Sequence, residues 1–305
     1  MLSLFDSNKR KYNKLPEHLR KRWSYRDFLD YRMQEMQPED IEEFMTADEL
    51  WAAEGNLNSD GFRDIFNDKR RFYERFPGYI RRKHMVLESG CEILLEAMFA
   101  ECGRLIFKPA GMYAGIGVFA ASSMQELQKS FEEMVRECYV AEEFLNPVEE
   151  YATVYAHSLN TVRITTFMSD DGEPEILFAI NQFGSGGSVV DNDDVFGIWA
   201  VIDTDTGVVT AAEVNPENGF VNDVHPDTLV PIVGFVNTHF EEMKKLVLLA
   251  AKEVPQCRLL GWDVTLRADG MPEIIEGNVS PEMELYQKIS RKGLRKVLDK
   301  YISMS

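Results

Sequence analysis

The spacing of apolar residues divides the chain into a helical first part and a strand-rich remainder. Residues 1–85 combine charged and aromatic residues with little strand character. Two apolar stripes recur there at helical spacing: Tyr25, Phe28, Leu29 and Met33, then Phe62, Ile65, Phe66 and Phe72. Such spacing places side chains on one face of a helix and predicts a helical N-terminal segment.

The middle of the chain predicts a small lobe of short strands and one helix. Arg104–Pro109 and Gly117–Ala120 have the pattern of strands joined by a glycine-bearing loop. Ser123-Met-Gln-Glu126 has the pattern of a capping box, which predicts that a helix begins there. Cys138–Leu145 predicts another strand, and Asn146-Pro147 ends it, because proline cannot donate to a strand ladder.

The remaining residues predict hairpins around one long helix. Alternating patterns and turn residues define the elements: Val162–Met168 with Glu175–Asn181, Trp199–Asp203 with Val208–Val214, the helix Phe235–Val254, and Leu259–Arg267 with Pro272–Asn278. Residues 184–194 form a loop that either closes over a substrate or is a solvated connection. Helices combined with antiparallel hairpins in two lobes predict an α+β fold.

Composition and charge restrict the class of protein. The 305 residues are 45% hydrophobic and 28% charged, the balance of a globular protein. The formal net charge of -18 disfavours nucleic acid as a partner, because phosphate binding relies on clustered basic residues. The basic run Arg81-Arg82-Lys83 we interpret as a solvated helix face.

Cysteine usage and hydropathy bear on the compartment. The four cysteines form no CxxC pair, which is typical of reduced thiols in a cytosolic protein. The N-terminus lacks the apolar stretch of a signal peptide. No segment approaches the roughly 20 apolar residues that a membrane span requires. We therefore expect a cytoplasmic protein without a membrane span.

The last predicted hairpin carries the clearest candidate chemistry. Asp269-Gly270 predicts a two-residue turn, since a type I′ turn needs the positive φ that Asp and Gly tolerate. Counting outward places Asp263 opposite Glu276, with Asn278 on the face of Glu276. Opposed carboxylates destabilise a sheet by ~0.2–1 kcal/mol, whereas Mg²⁺ favours a few carboxylates together with substrate phosphates. The three residues are candidate Mg²⁺ ligands; the alternative is a solvated polar face with a slipped register.

Two further segments suggest phosphate binding. Lys108 ends a predicted strand and precedes the glycines of the loop 111–117, which suits backbone amides and an ammonium approaching phosphate oxygens. An ordinary β-hairpin explains these glycines equally well. Arg163 alternates with apolar neighbours on a predicted strand, so its guanidinium should be buried and needs an anionic partner. That partner is either a structural carboxylate or a phosphoryl group in a cleft.

Taken in order, these segments resemble the ATP-grasp superfamily and are most similar to its sugar-transfer-associated, glutamate-ligase-like group. The resemblance runs from about Phe66 to the end of the chain. Its most specific parts are Asn160-Thr-Val-Arg163, Gly261-Trp-Asp263 and Ile275-Glu276-Gly-Asn278. The resemblance implies an ATP-grasp fold of two lobes, each with an antiparallel sheet and helices, with ATP bound between them.

The resemblance also implies domain boundaries and residue roles. It gives a helical N-terminal segment (1–65), a small lobe with the glycine-bearing loop (66–145) and a large lobe with the Mg²⁺ site (146–305). The nucleotide-binding residues that it implies are Lys69, Lys108, Gly111, Gly115, Gly117, Glu142, Glu143, Phe144, Leu145 and either Glu149 or Glu150. Those it places at the transferring phosphoryl group are Arg163 and Lys108, and those at Mg²⁺ are Asp263, Glu276 and Asn278.

The function implied by the resemblance is ATP- and Mg²⁺-dependent ligation of a carboxylate to an amine through an acyl phosphate. The expected partners are a small carboxylate and a small amine, with a uronic acid or an amino acid of polysaccharide or secondary-metabolite biosynthesis as the acid. Two alternatives stay open from the sequence. One is an ATP-grasp kinase that phosphorylates a small molecule, and the other is a non-catalytic nucleotide-binding regulatory module.

Overall fold

A computed structural model describes residues 2–112, 115–127, 130–187, 197–214, 220–221 and 223–302. The described helices are α1 Leu2–Lys14, α2 Glu17–Arg22, α3 Tyr25–Asp30, α4 Pro38–Glu42, α5 Ala47–Leu57, α6 Asp60–Asn67, α7 Lys69–Arg75, α8 Glu92–Cys102, α9 Met124–Leu127, α10 Phe131–Arg136, α11 Glu149–Ala152, α12 Phe240–Ala251, α13 Met283–Ser290 and α14 Arg295–Leu298. The described strands are β1 His84–Val86, β2 Leu105–Pro109, β3 Phe119–Ala121, β4 Tyr139–Glu143, β5 Val162–Met168, β6 Pro174–Phe183, β7 Ile198–Ile202, β8 Val209–Val214, β9 Phe220–Val221, β10 Leu259–Leu266 and β11 Pro272–Asn278.

The strands form two antiparallel sheets, as the predicted two-lobed α+β fold requires. The small sheet has the order β1-β4-β2-β3, and the large sheet has the order β11-β10-β5-β6-β7-β8-β9. Helix α8 covers the small sheet, where Leu95 and Phe99 pack with Phe107 and Ala141 in one buried cluster. Burial of these apolar side chains stabilises the small lobe.

Both faces of the large sheet are covered. All seven residues of β5 are buried, and successive side chains point to opposite faces. Val162 and Ile164 belong to the core that includes α12, whereas Phe167 belongs to the core that includes α5 and α13. On the latter face Phe178 stacks on Tyr286 with a centroid distance of 4.3 Å.

The N-terminal segment is helical, as predicted, and it packs against the large lobe. Helices α1–α4 enclose an aromatic cluster that includes Trp23, Phe28 and Phe44. The segment then joins α13 through Gln287, whose side-chain oxygen accepts from the Met45 N–H at 3.0 Å and whose amide donates to the Met45 carbonyl at 2.9 Å. Helix α5 therefore forms part of one face of the large lobe.

The long helix α12 begins five residues later than the predicted Phe235. The Phe235 carbonyl accepts from the Val209 N–H at 2.9 Å, and the Asn237 N–H donates to the Gly207 carbonyl at 3.0 Å. These backbone groups pair with the start of β8 and the turn before it, so they are unavailable for helical hydrogen bonds. Within the described residues, no helix is long and apolar enough to cross a bilayer.

Candidate functional site

The β10–β11 hairpin has the predicted pairing of Asp263 with Glu276, but not the predicted turn. The Arg267 N–H donates to the Met271 carbonyl at 3.0 Å, and Gly270, at φ +75°, ends a three-residue loop. The predicted two-residue turn is therefore wrong. A bulge compensates for it: Asp263 pairs with Glu276 and Val264 pairs with Ile274, so one extra residue is accommodated between them.

Two glycines allow neighbouring segments to approach the hairpin closely. A Cβ on Gly277 would lie 2.8 Å from the Phe66 ring and 3.1 Å from the Phe72 ring. A Cβ on Gly261 would lie 3.0 Å from Pro281. Gly277 thus lets the aromatic side chains of α6 and α7 pack on β11, and Gly261 lets the segment before α13 lie over β10.

Arg163 finds a carboxylate partner on the neighbouring strand. Its Cα pairs directly with that of Asp263, and Nε and Nη2 donate to the two Asp263 oxygens at 2.7 and 2.8 Å. Nη1 also donates to Glu282 at 3.3 Å, and the Asn278 amide donates to Asp263 at 3.4 Å. The predicted buried guanidinium is therefore satisfied by carboxylates, and its fork geometry fixes the Asp263 side chain.

Glu276 lies on the other side of Asp263, and the negative charge of its carboxylate is offset in a different way. In the part of the chain that the structure describes, its carboxylate makes no hydrogen bond or ion pair. Burial and the neighbouring Asp263 charge raise the pKa of Glu276, while the charges of Lys69, Lys108 and Arg163 oppose that rise. A half-buried carboxylate that faces a second carboxylate is a position at which a cation is stabilising.

The two predicted phosphate-binding lysines approach this carboxylate from different elements: Lys69 begins α7, which packs on β11, and Lys108 lies on β2 of the small sheet. The Lys69 ammonium donates to the Met112 carbonyl at 2.8 Å, and the Lys69 N–H donates to the Ala110 carbonyl at 3.0 Å. Lys108 donates to Glu142 at 3.1 Å. Burial lowers the pKa of Lys69, the charge of Glu276 raises it, and that of Lys108 lowers it further, so these charged groups interact electrostatically.

A buried ion-pair network joins the small lobe to β11. Glu142 accepts hydrogen bonds from Tyr73, Arg82 and Lys108. Arg82 also donates to Glu273 at 2.8 Å and to the carbonyls of Ile274 and Ile275 at 2.9 and 2.8 Å. Although burial by itself raises the pKa of Glu142, the charges of Arg82 and Lys108 hold that pKa well below its usual range.

This network corrects the interpretation of the basic run that contains Arg82. Arg82 precedes β1 rather than lying on a helix, and its side chain is only 1% exposed. It binds carbonyls at the bulge of β11, which is an edge strand. Sequence reasoning missed Arg82 and Tyr73, since their partners are 60 or more positions away along the chain. The available signal was the position of Arg82, two residues after the apolar Ile80 and just before β1.

Two adjoining cavities share Ile275 in their linings. The first, about 240 Å³, is lined by predicted nucleotide-binding residues: Lys108, Glu142, Glu143, Phe144 and Leu145. The second, about 620 Å³, is lined by predicted phosphate, metal and phosphoryl-transfer residues: Lys69, Gly111, Arg163, Glu276 and Asn278. Asp263 lies behind this second set and is 3% exposed. The structure therefore brings most of the predicted site residues to two adjoining cavities.

The remaining predicted residues lie outside those linings. Glu149 and Glu150 line neither cavity, and the Glu150 carboxylate accepts from the Thr238 backbone N–H at 3.0 Å. Gly115 and Gly117 have φ of +70° and +74° and line neither cavity either. Tyr113 and Ala114 of the same loop, and most of the predicted loop 184–194 from Ser188 onward, lie outside the described residues.

The donor set at the hairpin fits Mg²⁺ bound together with phosphates. Across the described ranges, no group of three or more His, Cys, Asp or Glu side chains is arranged to hold a metal ion. The candidate set instead has two carboxylates, Asp263 and Glu276, beside the Asn278 amide. Mg²⁺ is commonly held by one or two carboxylates, with water and substrate phosphates completing its coordination.

A protein-family model matches the chain over more than half of its length. The family model described as "Sugar-transfer associated ATP-grasp" matches residues 122–302, more than half of the chain. No curated protein sequence matches the chain.

The fold resembles several solved structures at low sequence identity. The ATP-grasp ligase PsnB, complexed with a minimal precursor, has a TM-score of 0.50 and 14% identity over 82% of this chain and 64% of its own. N5-carboxyaminoimidazole ribonucleotide synthetase, solved with ADP, has a TM-score of 0.46 and 12% identity over 72% of this chain and 46% of its own. D-cycloserine synthetase DcsG has a TM-score of 0.48 and 14% identity over 75% of this chain and 68% of its own.

The chain spans less than two thirds of the length of the first two of these structures. The likeness to PsnB bears on the fold alone, which has two antiparallel sheets with cavities between them. The family match includes β5 with Arg163 and the β10–β11 hairpin with its paired carboxylates. The chain belongs to the sugar-transfer associated ATP-grasp family and has the ATP-grasp fold.

Proposed function

We propose that the protein is an ATP- and Mg²⁺-dependent ligase that joins a carboxylate to an amine and releases ADP and phosphate. The observation that carries this proposal is the row Arg163–Asp263–Glu276 across β5, β10 and β11. This row adjoins the cavity that Lys69 lines and places one cationic and two anionic side chains at one end of the cavity. Such a charge distribution suits phosphoryl transfer, in which catalysis depends mainly on positioning and electrostatic stabilisation.

The chain's own residues supply positive charge and metal ligands in this reaction. Lys69, Lys108 and Arg163 would stabilise the negative charge on the transferring phosphoryl oxygens. Asp263, Glu276 and Asn278 would hold Mg²⁺, which when bound offsets the charge of the nucleotide phosphates.

The reaction consists of two balanced transfers. A substrate carboxylate oxygen attacks the γ-phosphorus of ATP, the bond from that phosphorus to the β,γ-bridging oxygen breaks, and an acyl phosphate and ADP result. An amine nitrogen then attacks the acyl carbon, phosphate leaves with the former carboxylate oxygen, and the nitrogen loses a proton as the amide forms. The protein provides no covalent nucleophile in this scheme. In this scheme ATP would lie across the two adjoining cavities, with its phosphates and the substrate in the larger one.

We propose a uronic acid or an amino acid used in polysaccharide or secondary-metabolite biosynthesis as the acid substrate. The description of the family as associated with sugar transfer supports the uronic acid. A small amine or amino acid would be the acceptor.

The proposal is tested by calorimetric titration of the nonhydrolysable analogue AMPPNP, with and without Mg²⁺, into the wild type and Glu276→Ala. We expect Mg²⁺-dependent binding to the wild type and weakened binding to the variant, because the substitution removes a metal-facing carboxylate. ADP release is then measured with pairs of acids and amines. Absence of binding to the wild type would refute the nucleotide site, and amine-independent formation of a stable phosphorylated product would favour a kinase.

A further inference from the structure

The wall of the larger cavity opposite β11 carries a second set of polar groups that the phosphoryl-transfer site does not use. Gln182 on β6 and Trp199 on β7 are directly opposed Cα partners, and both line the cavity of about 620 Å³. Arg163 lines the same cavity and lies diagonal to Gln182 on the neighbouring strand. The three side chains are therefore neighbours on one face of the sheet.

These side chains are buried but incompletely satisfied. Gln182 is 1% exposed and Trp199 is 7% exposed. The Gln182 carbonyl accepts from the Thr161 hydroxyl at 2.8 Å, which leaves its amide nitrogen to donate; no described residue accepts from that nitrogen. The indole Nε1–H of Trp199 is fully buried and has no hydrogen-bond partner among the described residues.

The neighbours of Trp199 do not satisfy its indole nitrogen. Its Cα partners are Gln182 on one side and Glu213 on the other, and the Trp199 Nε1–H is without an acceptor in the described part of the chain although both are adjacent. Buried polar groups are normally hydrogen-bonded, and an unpaired one is destabilising unless a ligand or water satisfies it. Trp199 lines the cavity although its unpaired Nε1–H is closed to water, so a ligand oxygen would reach this donor through a small movement of the side chain.

We propose that Gln182 and Trp199 form the subsite that recognises the acid substrate, and that this acid carries several hydroxyl or carbonyl oxygens beside its carboxylate. This inference rests on the proposed ligase function. The indole N–H and the amide N–H are both donors without a partner, so they match acceptor oxygens on the ligand. Arg163 lies between this wall and the carboxylates of β10 and β11, which directs the acid's own carboxylate towards the phosphoryl-transfer residues.

The subsite predicts a specificity that phosphoryl-transfer residues alone would not provide. A site with unpaired buried donors rejects an analogue that lacks the matching oxygens, because the donors then remain unsatisfied. A hydroxylated cyclic acid should therefore bind better than an apolar acid of the same ring size. The preference should depend on Gln182 and Trp199 and not on tryptophan or glutamine side chains elsewhere.

The test compares D-glucuronate with cyclohexanecarboxylate by calorimetry, in the presence and absence of Mg²⁺ and AMPPNP. The variants are Gln182→Leu and Trp199→Phe. The matched controls are Gln256→Leu and Trp51→Phe, because Gln256 is exposed and Trp51 is 66% exposed, and neither lines this cavity. Thermal unfolding and AMPPNP titration of every variant report whether the fold and the nucleotide site are retained.

We expect the wild type to prefer D-glucuronate, and each cavity variant to weaken D-glucuronate binding roughly five- to fifteen-fold, the effect of losing one or two hydrogen bonds. Both controls should keep the wild-type preference. Equal binding of the two acids, or an unchanged preference in both folded cavity variants, would overturn the subsite. Preferential D-glucuronate binding without any AMPPNP binding would support the subsite and refute the ligase proposal, so the two failures are distinguishable.

Discussion

Arg163 and Asp263 occupy directly opposed positions on β5 and β10, and two guanidinium nitrogens donate to the two carboxylate oxygens at 2.7 and 2.8 Å. The pair is buried, with side-chain exposures of 7% and 4%. Asp263 therefore has a fixed orientation before any ligand binds. Glu276, on the opposite side of Asp263, receives no pair of guanidinium hydrogen bonds. Its carboxylate is therefore the member of the pair that is more available to a cation.

The first prediction concerns the geometry of that fork. Arg163→Lys keeps a positive charge but removes the planar pair of donors that fits a carboxylate. We expect turnover, measured as ADP release, to fall about 10²–10³-fold, the usual effect of losing one preorganised charge-stabilising group. Arg81→Lys is the control, because Arg81 forms an exposed pair with Asp269. Equal loss of activity in both variants, or none in Arg163→Lys, would contradict the assigned role.

A second prediction addresses the network between the lobes. Glu142→Gln keeps the side-chain size but removes the charge that faces Arg82 and Lys108. Breaking a buried ion pair by removing one partner typically destabilises a protein by 3–5 kcal/mol, and we expect a loss of about 3 kcal/mol because Glu273 still pairs with Arg82. Chemical denaturation measures the change.

The control for the network variant is Glu137→Gln, which changes an exposed glutamate just before β4. The KM for ATP should rise in Glu142→Gln because Lys108 loses its charged hydrogen-bond acceptor. If Glu142→Gln unfolds at the same denaturant concentration as Glu137→Gln, the network contributes no stability.

A third prediction concerns the close approach of α6 and α7 to β11. Gly277→Ala places a methyl group 2.8 Å from the Phe66 ring. Overpacking of this kind usually destabilises by about 1–3 kcal/mol, and we expect a loss of free energy of unfolding in that range. Gly78→Ala is the control, since nothing lies within 4 Å of the position that its Cβ would occupy. Similar free energies of unfolding for the two variants would show that the Phe66 ring moves aside without any loss of stability.

The fourth prediction is a pH dependence of stability at Glu49. Burial alone would raise its pKa, but hydrogen bonds from Arg22, from the Thr46 backbone and from Arg295 lower the pKa from 4.5 to about 2. The folded-state pKa is therefore below the unfolded one, so the stabilisation is present above about pH 4.5 and is lost as the pH falls towards 2. Because the group is partly exposed, solvent screening limits the contribution to about 1 kcal/mol.

Glu49→Gln should remove this part of the acid-induced loss. Free energies of unfolding are compared for wild type and variant at several values between about pH 2 and pH 7. The difference between the two proteins should shrink as the pH falls, since the wild-type carboxylate becomes protonated. A constant difference across that range would mean that Glu49 contributes through its size or neutral hydrogen bonds alone.

The sequence predicted the strands of the site well, because their local patterns are strong. Predicted Val162–Met168 agrees with β5, and Asp263 pairs with Glu276 as expected. The second agreement, however, comes from two deviations that cancel. The loop at Gly270 contains one residue more than predicted, and the bulge beyond Asp263 restores the register. Local turn propensity cannot show a bulge whose carbonyls are bound by a distant arginine.

Features that depend on distant contacts were not predictable from local patterns. The basic run that contains Arg82 is typical of a solvated surface. Arg82 is nevertheless buried, because two different strands bring Glu142 and Glu273 to it. The start of α12 was also missed, since residues 235–237 pair with the start of β8 and the turn before it instead of beginning the helix. In both cases a tertiary hydrogen bond overrides a local preference.

The bulge in β11 has a consequence for how the hairpin can vary among related chains. A one-residue change in strand register moves every following side chain to the opposite face. Here the offset at the tip ends at the bulge, whose Ile275 carbonyl is held by Arg82. The distal turn and the carboxylate pair thus keep independent registers. Changes in length at residues 268–270 are separated from the carboxylate pair, and the tip is free to diverge while Asp263 and Glu276 stay opposed.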